Sequence, residues 1–212
     1  MISIENLLTW LIALQTTYLE NKQYLTDLDA AIGDADHGIN MERGFTAVKQ
    51  KIEATDHNDV GSLLKITAMT LISTVGGASG PLYGTFFLRA STACARKTTL
   101  TNAELVNMFD VGLQGVVQRG KARLADKTMI DALTPALEAM TQALENGASL
   151  TNILQAGTDA AEHGMQQTIP MLAKKGRASY LGERSIGHQD PGATSSYLML
   201  KTALDVWGNE ET

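Results

Sequence analysis

Asp29 and the run Gly33-Asp34-Ala35-Asp36-His37-Gly38 put three carboxylates and an imidazole within nine residues, between glycines that stop a regular helix from running through. Hard oxygen donors without clustered cysteine or histidine select Mg2+, Mn2+ or Ca2+ over zinc or copper. Mg2+ usually takes one or two carboxylates and leaves its remaining positions to water and phosphate oxygens, so three neighbouring Asp residues suit a pair of ions bridging a polyphosphate. A calcium EF-hand needs a Glu closing a loop of about twelve residues. Counted from Asp29 that position is Asn40, and from Asp34 it is Phe45, so the pattern fails in both registers. The plainer alternative is that these Asp residues only cap helices and form turns, the commonest use of Asp beside Gly.

Two further polar, glycine-punctuated stretches interrupt helical sequence: Gly76-Gly77-Ala78-Ser79-Gly80-Pro81, and Gly182 through Gly192. Small residues at Ala78 and Ser79 let a phosphate approach backbone N–H groups at the start of the next helix, where the dipole favours an anion. The stretch lacks the Lys-Ser/Thr ending of a Walker loop, and a tight helix-helix contact would explain it equally. Lys121, Arg123 and Lys127 add cations near a helix start, with solvated surface roles as the alternative. The connection Lys174 to Pro191 is longer than usual between helices, as binding loops often are, and Arg177 and Asp190 are its polar candidates. His188 reads as structural, whereas His37, among carboxylates, could donate to a phosphate or orient a metal ligand.

The elements that must position these loops are helices. Leu63, Leu64, Thr67, Leu71 and Val75 recur at three-to-four spacing, as do Met129, Leu133, Leu137, Met140 and Leu144. Pro135 in the second stripe predicts a kink or a helix start. Thr101-Asn102-Ala103-Glu104 is a capping box opening a helix through Leu105, Met108, Phe109, Gly112 and Val116. The apolar run Leu7 to Leu14 lacks the basic residues of a signal peptide and reads as a core helix. Breaks at Asn21 and at the turn-rich segments leave about eight helical pieces. An all-α, single-domain antiparallel up-down bundle or barrel over residues 1–212 is expected, with alternate connections meeting at one end.

Composition bounds the partners. A formal net charge of -6 and a pI near 5.2 argue against nucleic acid, which requires clustered positive surface. No run approaches the roughly 20 apolar residues that span a bilayer. The single cysteine, Cys94, excludes an intrachain disulfide and suits a reducing compartment, so a soluble cytoplasmic protein is expected.

The same segments, with Leu82-Tyr83-Gly84, Asp126-Lys127-Thr128-Met129 and Asp190-Pro191-Gly192-Ala193-Thr194, occur in an order that resembles the nucleotide-binding L subunit of dihydroxyacetone kinases over essentially the whole chain. The resemblance implies an eight-helix barrel holding ADP or ATP at one end through two Mg2+ ions. It implies Asp29, Asp34 and Asp36 as metal ligands. His37, Gly38, Ile39, Asn40, Ala78 and Ser79 would line the phosphates. Gly120 and Met129 would border the nucleotide, and Arg177 with Asp190, Pro191 and Gly192 would close over it. It implies two partners, a K subunit that holds dihydroxyacetone and an M subunit that passes on phosphoryl groups from phosphoenolpyruvate, with ADP retained as a cofactor. The absence of a K module in this chain favours that type over an ATP-dependent kinase encoded in pieces. One departure from the family is Leu124-Ala125, which stands where Pro-Gly is frequent and leaves the shape of that loop open. Rival readings are a nucleotide-sensing regulatory module and a helical barrel enclosing a lipid.

Overall fold

A computed structural model describes residues 1–208. Its helices are α1 (Ile4–Glu20), α2 (Lys22–Ile32), α3 (His37–Glu53), α4 (Val60–Thr74), α5 (Ser79–Ala93), α6 (Asn102–Gly120), α7 (Ile130–Glu145), α8 (Leu150–Gln167) and α9 (Pro191–Trp207). A 3₁₀ segment, Arg177–Ser185, lies in the long α8–α9 connection. Strands β1 (Ile2–Ser3) and β2 (Thr99–Leu100), too short to show as alternation in sequence, pair antiparallel and tie the N-terminus to the start of α6.

Among the described residues nine α-helices make up the expected eight rods, because Asn21 divides the first rod into α1 and α2. The division is slight: Asn21 keeps φ -96 and ψ 9, its amide bonds back to the Thr17 carbonyl, and its own carbonyl receives the Leu25 amide. With α1 and α2 taken as one kinked rod, eight rods pack each on the next and α9 returns to α1, closing a barrel. Alternate connections, α2–α3, α4–α5, α6–α7 and α8–α9, then fall at one end.

Local sequence explains the helix boundaries. Thr101 and Glu104 form the reciprocal capping box, and Ser3 with Asn6 forms a second one at α1. Pro135 neither starts nor ends α7 but sits inside it. The amide it lacks leaves the Asp131 carbonyl without its intrahelical donor, and that carbonyl lies against Gly164 of α8, where a Cβ would stand 2.1 Å away. A missing side chain on one helix thus accommodates a missing N–H on its neighbour.

The barrel axis is filled. Trp10 lies 5.0 Å from Trp207, 5.8 Å from Phe109 and 6.0 Å from Phe87 between ring centroids, and Tyr18 lies 4.7 Å from Phe45. All are buried, as is Cys94, so a lipid along the axis would have to displace the core that closes the ring. No helix among the described residues is long and apolar enough to cross a membrane.

Candidate functional site

The four connections at the shared end enclose a cavity of about 410 Å3, within the range of small-molecule sites. Asp29, Asp34, Asp36, His37, Ala78, Ser79, Gly120, Met129, Arg177, Asp190, Pro191 and Gly192 all line it. Gly38, Ile39 and Asn40 lie just outside that lining, on the first turn of α3. Gly38 is a packing position: a Cβ there would stand 2.0 Å from the Lys22 carbonyl, so its bare Cα lets α3 close on α2. Ile39 is exposed. Asn40 braces the glycine turn, its Oδ1 accepting from Arg43 Nη2 at 2.5 Å and from the Gly76 amide at 3.4 Å.

Asp29, Asp34 and Asp36 each offer a carboxylate oxygen, all within 4.8 Å of one another. Asp29 reaches this position from the last turn of α2. Its Oδ2 accepts the amides of Asp36 (2.8 Å) and His37 (3.2 Å), so Asp29 does the capping at α3 and leaves the Asp36 carboxylate to the cluster. Ala35 between the other two stands at φ 60, a left-handed turn that brings Asp34 and Asp36 to the same side. Gly33 makes room, since a Cβ there would lie 2.1 Å from Asp29 Oδ1. Arg177 Nη2 pairs with Asp34 Oδ2 at 3.0 Å, laying the 3₁₀ segment across the mouth.

Four helix N-termini face the cavity, and three are already satisfied by side chains. Asp29 serves α3, Thr128 Oγ1 accepts the first amide of α7 from Ile130 at 3.2 Å, and Asp190 caps α9 through the Ala193 amide at 2.7 Å. The fourth, α5, begins after Ala78, which has no capping group. Its first-turn amides at Ser79 and Gly80 form the open anion-binding end of the set.

His37 sits between the cavity and a buried hydroxyl cluster that sequence analysis missed. Its Nδ1 is 3.0 Å from Ser79 Oγ, and its Nε2 is 2.8 Å from Ser195 Oγ. Ser195 donates to the Gly192 carbonyl at 3.1 Å, so its oxygen receives both the His37 Nε2–H and the Tyr83 hydroxyl, the latter at 2.7 Å. Tyr83 also meets Ser196 at 3.0 Å. With the Ser195 proton on the Gly192 carbonyl, His37 is the Nε2–H tautomer and its Nδ1 lone pair is left for the Ser79 hydroxyl, while the Pro191 carbonyl beside the ring favours its protonated form. Burial pushes the His37 pKa down against Asp29, Asp36 and that carbonyl, and burial drives Tyr83 up to about 12. The signal available in sequence was the hydroxyl run Thr194-Ser195-Ser196 opening α9, with Tyr83 one helical turn beyond Ser79.

Asp190 is buried beside these groups. Burial raises its carboxyl to about 7, against the Ala193 amide and Lys127 and with added repulsion from Asp131 and Asp29. Lys127 does not point its charge at the cavity; its ammonium is enclosed by backbone carbonyls of the α8–α9 connection. The loop before α7 takes its shape from Asp131, which accepts the Ala125 amide at 2.5 Å and the Thr128 amide at 2.8 Å. Ala125 and Lys127 stand at φ 64 and φ 62. Left-handed geometry is therefore held at Ala125 without a glycine, at some cost in backbone strain.

The DAK2 domain family matches residues 31–205. The chain is 50% identical to the PEP-dependent dihydroxyacetone kinase ADP-binding subunit DhaL of Escherichia coli, over 94% of this chain and 95% of that protein. It is 41% identical to the PTS-dependent dihydroxyacetone kinase ADP-binding subunit DhaL of Lactococcus lactis, over 97% of this chain and 99% of that one. Its fold matches the crystal structure of the C. freundii dihydroxyacetone kinase in complex with AMP-PNP and Mg2+ with a TM-score of 0.70 and 26% identity, covering 93% of this chain and 33% of that one. The closed helical barrel, the carboxylate cluster at its open end and these likenesses place the chain in the DAK2 domain family, among the DhaL-type subunits of dihydroxyacetone kinases.

Proposed function

We propose that this chain is the ADP-binding subunit of a phosphoenolpyruvate-dependent dihydroxyacetone kinase, with residues 1–212 acting as one nucleotide-binding unit in the cytoplasm. The observation that carries the reading is that three converging carboxylates and the N-terminus of α5, whose cap residue Ala78 has no capping side chain, share the same nucleotide-sized cavity. The relatives that match end to end are named as separate ADP-binding subunits, which favours retained ADP over exchange of ATP as a substrate.

In this reading Asp29, Asp34 and Asp36 are the Mg2+ ligands. Mg2+ usually takes one or two carboxylates and leaves its other positions to water and phosphate oxygens, so three neighbouring carboxylates suit two ions. When bound, Mg2+ would neutralise the charge of the phosphates. The amides at Ser79 and Gly80 face the phosphates, and the Ser79 hydroxyl is held by His37. Gly38, Ile39 and Asn40 act from the first turn of α3, and Ala78 leaves the α5 terminus open. Gly120 and Met129 border the nucleotide, while Arg177 and the Asp190-Pro191-Gly192 turn close over it. Phosphoryl transfer of this kind depends mostly on positioning and charge, and these residues supply both. The mouth is where a dihydroxyacetone-holding K subunit would receive the phosphoryl group and where an M subunit would restore it.

The test is a reconstituted transfer from phosphoenolpyruvate to dihydroxyacetone with purified K and M subunits and only the nucleotide that this chain carries. Product formation that requires this chain and the M subunit supports the proposal. Turnover that ignores the M subunit and consumes added ATP one for one assigns the chain to an ATP-dependent kinase instead.

A further inference from the structure

Lys127 is 1% exposed, and the described residues offer its ammonium no carboxylate within ion-pair distance. Its Nζ donates instead to the carbonyls of Thr168 (2.8 Å), Ser185 (2.8 Å), His188 (2.5 Å) and Met171 (3.2 Å), with Ile169 at 3.5 Å. Three N–H bonds shared among five carbonyls make a shell like that around a monovalent cation. A buried charge without such partners costs several kcal/mol, and carbonyls deprived of it would be left unsatisfied in turn.

The carbonyls come from two separate arms of the α8–α9 connection. Residues 168–171 leave α8, and residues 185–188 approach α9; between them runs the 3₁₀ segment that carries Arg177 to Asp34. Other bonds draw the arms together around the ammonium: Gly187 N–H to the Ile169 carbonyl at 2.8 Å, Ala173 N–H to Ser185 Oγ at 2.9 Å, and Asp190 N–H to Thr168 Oγ1 at 2.9 Å. The last of these places the α9 cap. The left-handed backbone of Lys127 directs its stem into the knot from the α6–α7 loop.

We propose that the Lys127 ammonium is a built-in cation that sets the shape of the α8–α9 connection, which makes Lys127 a positioning residue for the site walled by Arg177 and Asp190. The functional half of this inference rests on the nucleotide-binding reading; the structural half does not.

Lys127→Ala removes three carbons and the ammonium, the size of n-propylammonium. The connection carries tryptic sites at Lys174, Lys175, Arg177 and Arg184 that report its order without any activity. Cleavage there should speed up and affinity for Mg2+-ADP should fall about tenfold or more, as expected for a displaced binding wall. n-Propylammonium chloride should reverse both changes saturably, tetramethylammonium chloride at equal ionic strength should not, and Lys127→Met should resist rescue. In the unaltered chain, a 15N-lysine label should show one slowly exchanging ammonium signal at neutral pH, a reading that survives if the variants do not fold. Wild-type cleavage and affinity in Lys127→Ala, loss that n-propylammonium cannot reverse, or no protected ammonium signal would each overturn the proposal. If the unaltered chain binds no Mg2+-ADP, the nucleotide reading fails while proteolysis and the ammonium signal still decide the cation's role.

Discussion

Arg177 Nη2 stands 3.0 Å from Asp34 Oδ2, so a residue on the α8–α9 connection holds one of the three clustered carboxylates across the mouth of the cavity. The side chains are 65% and 33% exposed, and solvent-screened pairs of this kind contribute at most about 1 kcal/mol. The pair competes with a metal for the same oxygen. Arg177→Ala should therefore leave thermal stability nearly unchanged and raise affinity for Mn2+ alone, read by calorimetric titration, while weakening retention of Mg2+-ADP. A fall in Mn2+ affinity would show that Arg177 assists the metal and does not compete with it.

Gly33→Ala tests the carboxylate geometry without touching a ligand. The new methyl would start 2.1 Å from Asp29 Oδ1, forcing that carboxylate off the amides of Asp36 and His37. Metal affinity should drop about tenfold or more, as for loss of a residue that orients a ligand, with far-UV helicity retained. Unchanged Mn2+ binding would mean that Asp29 is not needed where it stands.

Ala125→Gly relieves a left-handed residue at φ 64. The strain removed is about 1–2 kcal/mol, and the extra freedom of glycine in the unfolded chain returns about 0.4–1 kcal/mol. The substitution should raise stability by up to about 1.5 kcal/mol in urea unfolding. Destabilisation would indicate that the loop around Asp131 does not hold this turn.

Asp190 gives stability a pH dependence of definite sign. Its carboxyl titrates near 7 in the metal-free fold and near 3.8 when unfolded, so across that interval the folded state holds a proton that the unfolded state has released. Stability from this group therefore declines as pH rises from about 4 to about 7, by a few kcal/mol at most. Asp190→Asn keeps a good helix cap and removes the titration. Urea unfolding at about pH 5 and about pH 7.5 should show a shallower decline, or a steeper rise, in the variant. Parallel profiles for the two proteins would contradict the burial of this carboxyl.

What the sequence disclosed was local. Asp29 to Gly38, Gly76 to Pro81 and the Thr101–Glu104 box could be read because each motif places its chemistry within a few residues, and the apolar stripes of α4 and α7 showed their buried faces by spacing alone. Of the kink or helix start that Pro135 predicts, the start is absent, and its missing hydrogen bond is accommodated by Gly164 on another helix, which no local rule contains. The role of Lys127 depends on carbonyls 41 to 61 residues away, and that of Ser195 on His37 and Tyr83 at separations of 158 and 112. Carbonyls carry no sequence signature, so a lysine bound to them is indistinguishable in sequence from one on the surface.

The most direct measurement is acid release of nucleotide from the purified, extensively dialysed chain, with chromatographic identification and a metal assay, alongside Asp34→Ala and Asp36→Ala. Near-stoichiometric ADP with Mg2+ in the unaltered chain, lost in both variants while helicity is kept, is the expected result. Nucleotide retained equally by the variants would contradict the carboxylate site, and an unaltered chain that neither carries nor binds ADP or ATP would contradict the proposed function itself.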